Sequence, residues 1–309
     1  MFSIKAISLA LFTTLISQST AAPAASPEHV HHAHKRDTSG KTCAFPNDNG
    51  MVAVFNTKVA NSEGWAQDGP CKAGSYCQYA CQPGYLMGQW NPSVTSYSYP
   101  GSQDGGVWCD ENGSLSKPIS QNDYCYKGKG TAKAVNQSGQ NVAFCQTVLP
   151  GNEAMLIPTD VQSGSESDLA VPGTDYWAKT ASHFYINPPG VSVEEGCRWG
   201  STANPYGNWS PYVAGFNMDD SGNTFAKIGW NPIYFEDSSP FKNEKPNFGI
   251  RLKCDDPSQC NGQTCEIDPS KEGLDKVSNA GQQGDSNGAA WCVVTATGNS
   301  GVSVEVFSV

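Results

Sequence analysis

The sequence predicts an all-β fold, a disulfide-rich antiparallel β-sandwich. Three observations predict it. Short runs rich in β-branched and aromatic residues recur along the chain, with almost no helical periodicity between them. The runs are punctuated by 32 glycines and 20 prolines, the residues that end strands and make turns. All 12 cysteines lie after Arg36, an even number of the kind a disulfide framework needs.

The chain opens with Met1, one basic residue at Lys5, the apolar run "AISLALFTTLIS" and the small residues "STAA". That order is the grammar of a secretory signal peptide over 1–21, too short to anchor the chain once cleaved. The next stretch, "APAASPEHVHHAHKRD", ends its basic part on the pair Lys35-Arg36. It reads as a pro-segment over 22–36, with the mature domain spanning 37–309. Its histidines His29, His31, His32 and His34 read as part of a polar spacer rather than a metal site. His183 is then the one histidine of the mature chain.

The secretory route decides how the cysteines are read. In "CKAGSYCQYACQPGYLMGQW" (71–90), Cys71, Cys77 and Cys81 precede Tyr85 and Trp90, and Cys109 follows further on. Zinc sites favour C-x2-C pairs, which this chain lacks, and an exported iron–sulfur centre would need reduced thiolates. Cys71, Cys77, Cys81 and Cys109 are therefore expected in disulfides, with no metal and no cofactor. Their pairing stays open at this point. The loop they staple is expected to hold Tyr85 and Trp90 in place.

Formal net charge is −10; without Lys5, Lys35, Arg36 and Glu28 the mature chain keeps 16 basic and 28 acidic side chains, or −12. Polyphosphates and anionic membranes want the opposite sign, so no nucleic acid and no membrane is expected as a partner. A neutral polysaccharide meets no such penalty. Sequons at Asn112, Asn136 and Asn208 mark expected glycan acceptors.

Strand candidates follow in order: "VAVFN", "NVAFCQTVL", "HFYIN", "NFGIRLKC", "AAWCVVTAT" and the closing "VSVEVFSV". In the last, Val302, Val304 and Val306 alternate with Ser303, Glu305 and Phe307, as in a half-buried strand. No linker, repeat or low-complexity block interrupts 42–309, and such a length can bury a full core.

Several of these stretches together resemble the fungal SUN family of secreted cell-wall proteins, grouped with β-glucosidase-like glycoside hydrolases. The hallmark is C-x5-C-x3-C with a fourth cysteine, here Cys71, Cys77, Cys81 and Cys109. "CQPGYLMGQW" (81–90), "AMLIPT" (154–159), "INPPGVSVEEGCRWG" (186–200) and "GNWSPYVAGF" (207–216) are similar to its blocks. The resemblance implies a monomer in the cell wall that binds and remodels β-1,3-glucan during wall biogenesis, septation and cell separation. The spread of strands and cysteines is also similar to thaumatin-like sandwiches.

Glycoside hydrolysis usually takes two carboxyl groups, one to protonate the leaving oxygen and one as base or nucleophile. Carboxylates beside Trp or Cys are Asp110, Asp175, Glu194 and Glu195, and the last two fall inside a resembling block. Asp219-Asp220 in "NMDDSGN" reads as a turn tip. His183 sits in the predicted strand "HFYIN", where a structural role is the commoner one. Sugar rings stack on aromatic faces, and Trp65, Trp177, Trp230, Tyr97 and Tyr99 add to the supply. Those in Gly/Pro-rich loops, Tyr85, Trp90, Trp199, Tyr206 and Trp209, are expected to face the glucan. The rival expectation is a non-enzymatic glucan-binding wall protein that keeps the aromatics without a working acid pair.

Overall fold

The computed structural model describes residues 40–54, 63–67, 69–96, 104–147, 150, 157–262, 265–278, 289–298 and 300–309. The expected signal peptide and pro-segment, with Tyr97 and Tyr99, lie outside the described residues. Short strands come first: β1 (Met51–Val52), β2 (Ser75–Cys77), β3 (Ala80–Cys81), β4 (Tyr85–Met87), β5 (Val107–Cys109), β6 (Leu115–Ser116) and β7 (Cys125–Lys127). Longer ones follow: β8 (Ala132–Gln137), β9 (Val142–Thr147), β10 (Ile157–Val161), β11 (Glu166–Asp168), β12 (Ser182–Ile186), β13 (Tyr212–Met218) and β14 (Thr224–Trp230). The chain closes with β15 (Phe248–Cys254), β16 (Cys260–Asn261), β17 (Glu266–Ile267), β18 (Trp291–Ala296) and β19 (Val302–Ser308).

Two sheets make the sandwich. One has seven strands in the order β10-β9-β12-β13-β14-β18-β16, the other five in the order β11-β8-β19-β15-β17. Every neighbouring pair is antiparallel except β19 and β8, which run parallel from Val302↔Ala132 to Phe307↔Gln137. That pair departs from the antiparallel expectation. One strand ends at Gln137 and the other begins at Val302, so no tight turn fixes their direction.

Alternation drives the layering. In β13 and β14 the buried positions recur every second residue, placing Tyr212, Ala214 and Phe216 against Ala226 and Ile228 inside. Asp219 closes their hairpin, its Oδ1 accepting from the amides of Ser221 and Asn223, both at 2.9 Å. The turn-tip reading of that segment is what the structure shows. Valines 304 and 306 of β19 enter the same core from the other sheet, beside Ile250 and Leu252 of β15. Rings meet edge-on there: Tyr212 lies 5.0 Å from Trp230 and 4.9 Å from Phe248 between centroids. Each fully buried side chain of this size contributes about 1.5–3 kcal/mol.

A second core gathers Trp65, Tyr79, Leu86 and Met87 around cysteines of the first strands. Three disulfides hold it, Cys43–Cys109, Cys71–Cys77 and Cys81–Cys125. Cys145–Cys197, Cys254–Cys260 and Cys265–Cys292 brace the sandwich, so all 12 cysteines are paired. The sulfurs of Cys43, Cys71 and Cys109 lie within 4.8 Å of one another because two bridges stack, and each sulfur is already spent on a partner.

One expectation is corrected here. Asn136 is 0% exposed, and its amide donates to the carbonyls of Gln140 and Val161, both at 2.7 Å. A glycan would have to replace those bonds and open the core. Asn112 is exposed and Asn208 half-buried.

Candidate functional site

Prolines open the site. Pro188, Pro205 and Pro211 fix φ in the loops that lead out of β12 and into β13, and each lines one cleft of about 240 Å³. Buried asparagines tie these loops down. Asn187 accepts from the Gly207 amide at 2.9 Å and donates to the Ala143 carbonyl at 3.3 Å. The Asn231 amide donates to the carbonyls of Asn208 at 2.7 Å and Ser210 at 2.8 Å. Asn208 in turn accepts from the Gly200 amide at 2.7 Å. The short 3₁₀ turn Gly207–Trp209 is thus held from three sides, and Trp209 on it lines the cleft.

The opposite wall is a firm loop after β14. Tyr234 and Phe241 stack at 5.9 Å with rings 17° apart, and both line the cleft. The Tyr234 hydroxyl donates to the Glu244 carbonyl at 2.9 Å. Burial, with the nearby Glu244 charge, raises its pKa, so it stays a donor. Glu244, Lys245 and Asn247 form a polar rim. An apolar, aromatic trench with a few polar groups at its edge suits the faces and hydroxyls of a sugar.

Of the aromatics expected to face a ligand, Trp209 is the one lining this cleft. Tyr206, half-buried, accepts the Trp209 amide on its carbonyl at 3.2 Å. Trp199 packs on Ala143, Cys145, Val193 and Cys197. Tyr85 and Trp90 are half-buried against the second core, with Trp90 edge-on to Tyr176 at 5.6 Å. The stapled loop holds these two rings, and it holds them inward.

The four expected acids sit on three separate loops, and none lines the cleft. Glu194 and Glu195 are exposed in the one-turn helix Val193–Gly196, whose N-cap is Ser192, its hydroxyl accepting from Glu195 at 3.3 Å. Negative charge there is favoured by the helix N-terminus. Asp110 accepts from the amides of Asn112 at 2.8 Å and Ser114 at 2.9 Å, a turn-making task. Asp175 pairs with Lys129 at 3.0 Å, and that hydrogen bond holds its carboxyl below the usual range. His183 is half-buried beside Gly215; burial first and the Lys227 charge second push its pKa down to about 4, so it is neutral at physiological pH.

Residues 38–294 match the family described as Beta-glucosidase (SUN family). The chain belongs to the SUN family. The Saccharomyces cerevisiae protein YMR244W, named as uncharacterized, is 57% identical over 318 residues, covering 100% of this chain and 87% of its own. The Schizosaccharomyces pombe protein named "Probable secreted beta-glucosidase adg3" is 50% identical over 267 residues, 86% of this chain and 23% of adg3. The S. cerevisiae "Probable secreted beta-glucosidase UTH1" is 38% identical over 198 residues, 62% of this chain and 51% of UTH1. This SUN chain thus spans about a quarter of one of these named β-glucosidases and about half of the other. Among solved structures, the thaumatin-like xylanase inhibitor TLXI aligns over 57% of this chain and 97% of its own, with TM-score 0.29 and 11% identity. Neither Asn187 nor Asn231, nor the loop carrying Tyr234 and Phe241, stood out in the sequence. Asn-Pro pairs at 187–188, 204–205 and 231–232 are the signal that points to them.

Proposed function

We propose that this SUN protein is secreted to the fungal cell wall, binds β-1,3-glucan there as a monomer, and hydrolyses or remodels it in wall biogenesis, septation and cell separation. One observation carries the reading. The Trp209 cleft is built by two of the sequence blocks that mark the family, 186–200 and 207–216, closed by the loop of Tyr234 and Phe241. The indole offers a flat apolar face, and the rim offers donors and acceptors for hydroxyls. For hydrolysis, Glu194 and Glu195 are the candidate acid and base, exposed on a helix that Cys145–Cys197 ties to β9.

The test measures retention on insoluble β-1,3-glucan and release of reducing ends by the same protein. Trp209→Ala should weaken retention roughly ten- to hundredfold, as loss of an aromatic contact of about 1–3 kcal/mol implies. Glu194→Gln and Glu195→Gln should keep retention and lose turnover, since an amide can neither give nor take the proton. Wild-type turnover in both amide variants would exclude the carboxylate assignment.

A second reading has its own observation. The expected acids stand away from the cleft, and Asp110 and Asp175 are committed to a turn and an ion pair. That arrangement favours a glucan-binding wall protein without hydrolysis. Retention that depends on Trp209, with no reducing ends released by the wild type, would select it.

A further inference from the structure

The outer faces of the two sheets differ in character. On the five-stranded sheet the outward positions carry charge, with Lys133 paired to Glu166 and Arg251 to Glu305. Outward side chains of a sandwich are ordinarily polar in this way. On the seven-stranded sheet they are not. Register lays one row of outward positions across four strands: Tyr185 on β12, Val213 on β13, Gly229 on β14 and Trp291 on β18. The adjacent row on the same face is His183, Gly215, Lys227 and Val293. Gly229 is buried, and the rest of both rows is half-buried. Lys227 is the one charged side chain in these rows, His183 being neutral at physiological pH. Its ammonium lies over the Trp291 ring, 4.4 Å from the centroid. Neither row holds a carboxylate, in a chain whose net charge is −10. An apolar outer face of this extent points to a ligand or a partner.

The relief of the face selects between them. Tyr185 and Trp199 pack beside the Cys145–Cys197 bridge at one border, and Trp291 stands at the other. Between these aromatic borders β13 and β14 present Val213 and two glycines, a low and nearly flat floor. Three strand spacings separate Tyr185 from Trp291, about 14 Å. A run of sugar rings fits such a slot, its apolar faces lying on aromatic and valine side chains. A polyanion or an anionic bilayer would find a single cation here, already set against an indole.

The border at Tyr185 also carries the candidate acids. Cys145 on β9 lies opposite Tyr185 in register, and its bridge to Cys197 holds the helix Val193–Gly196 over that strand. Val193 is buried against the bridge, while Glu194 and Glu195 are exposed. The two carboxylates that do not line the Trp209 cleft therefore stand at the edge of this face.

We propose that the outer face of the seven-stranded sheet is a binding platform for a neutral, β-linked glucan chain, laid across β18, β14, β13 and β12 and ending at the helix of Glu194 and Glu195. The identity of the ligand rests on the glucan reading above; its place on the sheet does not.

Gly215 supplies the test. A Cβ there would meet nothing nearer than His183 Cδ2 at 3.4 Å, so the sheet tolerates Gly215→Gln, which sets a side chain on the floor. ¹⁵N-labelled protein is titrated with a soluble β-1,3-linked glucose hexasaccharide. Amide shifts should appear along 183–185, 213–215, 227–229 and 291–293, and at 193–196 where the chain ends. Gly215→Gln and Trp291→Ala should each weaken hexasaccharide binding roughly five- to fiftyfold, with thermal melts showing both variants folded. Trp209→Ala should leave the shifts on the sheet in place. Shifts confined to the surroundings of Trp209, with wild-type affinity in Gly215→Gln, would overturn the platform and leave the glucan reading standing. No hexasaccharide binding by the wild type would overturn the glucan reading itself, and the platform with it. Light scattering that found a dimer, dissociated by Gly215→Gln, would make a second copy of the chain the occupant and overturn the proposal.

Discussion

Gly200 lies directly under Trp209: a Cβ at Gly200 would sit 2.5 Å from the indole Cδ1 and 2.3 Å from the Tyr206 carbonyl oxygen. The indole occupies space that any other residue would fill. Its place in the cleft therefore depends on a glycine nine positions earlier, on the far side of the loop. Gly200→Ala should push the ring or the 3₁₀ turn aside. Expected are a destabilisation of about 1–3 kcal/mol, typical of overpacking, and a loss of glucan retention approaching that of Trp209→Ala. Chemical unfolding and the glucan pull-down check both; a Gly200→Ala protein with wild-type stability would contradict the packing.

Asn231 should matter through its amide. Replacing it with Asp keeps the acceptor for Ile233 at 3.3 Å but removes the donor to Asn208 and Ser210. Two carbonyls then lose their partner beside a new buried charge, which should cost about 1–3 kcal/mol or more. Denaturant midpoints of Asn231→Asp against wild type measure it, and the loss should shrink at low pH as the new carboxyl is protonated and regains a donor.

His183 gives a pH dependence whose sign is fixed. Its folded pKa, about 4, lies below the ordinary 6.5, so the unfolded chain binds the proton more readily. Stability should fall as pH drops from about 6.5 to about 4 and then stop falling on this account. His183→Gln removes the group, so the difference in melting temperature between pH 7 and pH 4.5 should be smaller in the variant. Equal pH slopes would show that the imidazole titrates normally.

Peptide mapping of secreted protein should find no glycan on Asn136, although its sequon is intact, because the amide is consumed inside the core. Asn112, exposed in the turn that Asp110 organises, is the acceptor expected to carry one. Occupied Asn136 would mean that glycosylation precedes folding and that this part of the sandwich is displaced.

These cases show what the residue order could disclose. Alternation named the face of each valine in β19, and Asp-Asp-Ser-Gly-Asn named a turn, because both are local rules. Glu305 was legible as an outward residue and illegible as a buried one: its cover comes from Arg251 on β15 and from β8, the strands on either side of its own. The cleft failed to show for the same reason. Pro188, Trp209, Tyr234 and Phe248 belong to separate segments, and only the sheet order brings them to one edge. Cysteine count gave oxidation but not pairing, since Cys254–Cys260 and Cys265–Cys292 are chosen by strands β15, β16 and β18 meeting in space.

Cys145–Cys197 offers the sharpest link between stability and the site. It bridges residues 52 apart, joining β9 to the end of the helix that carries Glu194 and Glu195. Closing a loop of that length limits the unfolded chain, and such a bridge contributes about 2–4 kcal/mol. Its Cys145 sulfur also lies 3.3 Å from the Asn187 amide, and Asn187 is the residue that holds the Gly207 amide before Trp209. Cys145→Ala/Cys197→Ala should therefore do two things at once: lower the unfolding free energy by that amount, and weaken glucan retention by loosening Asn187 under the Trp209 turn. Cys254→Ala/Cys260→Ala is the control, because that bridge closes a separation of only 6 and touches neither loop. It should cost less stability and weaken retention less. Equal retention in the two double variants would show that the turn stands without the bridge, and that Asn187 and Asn231 alone position Trp209.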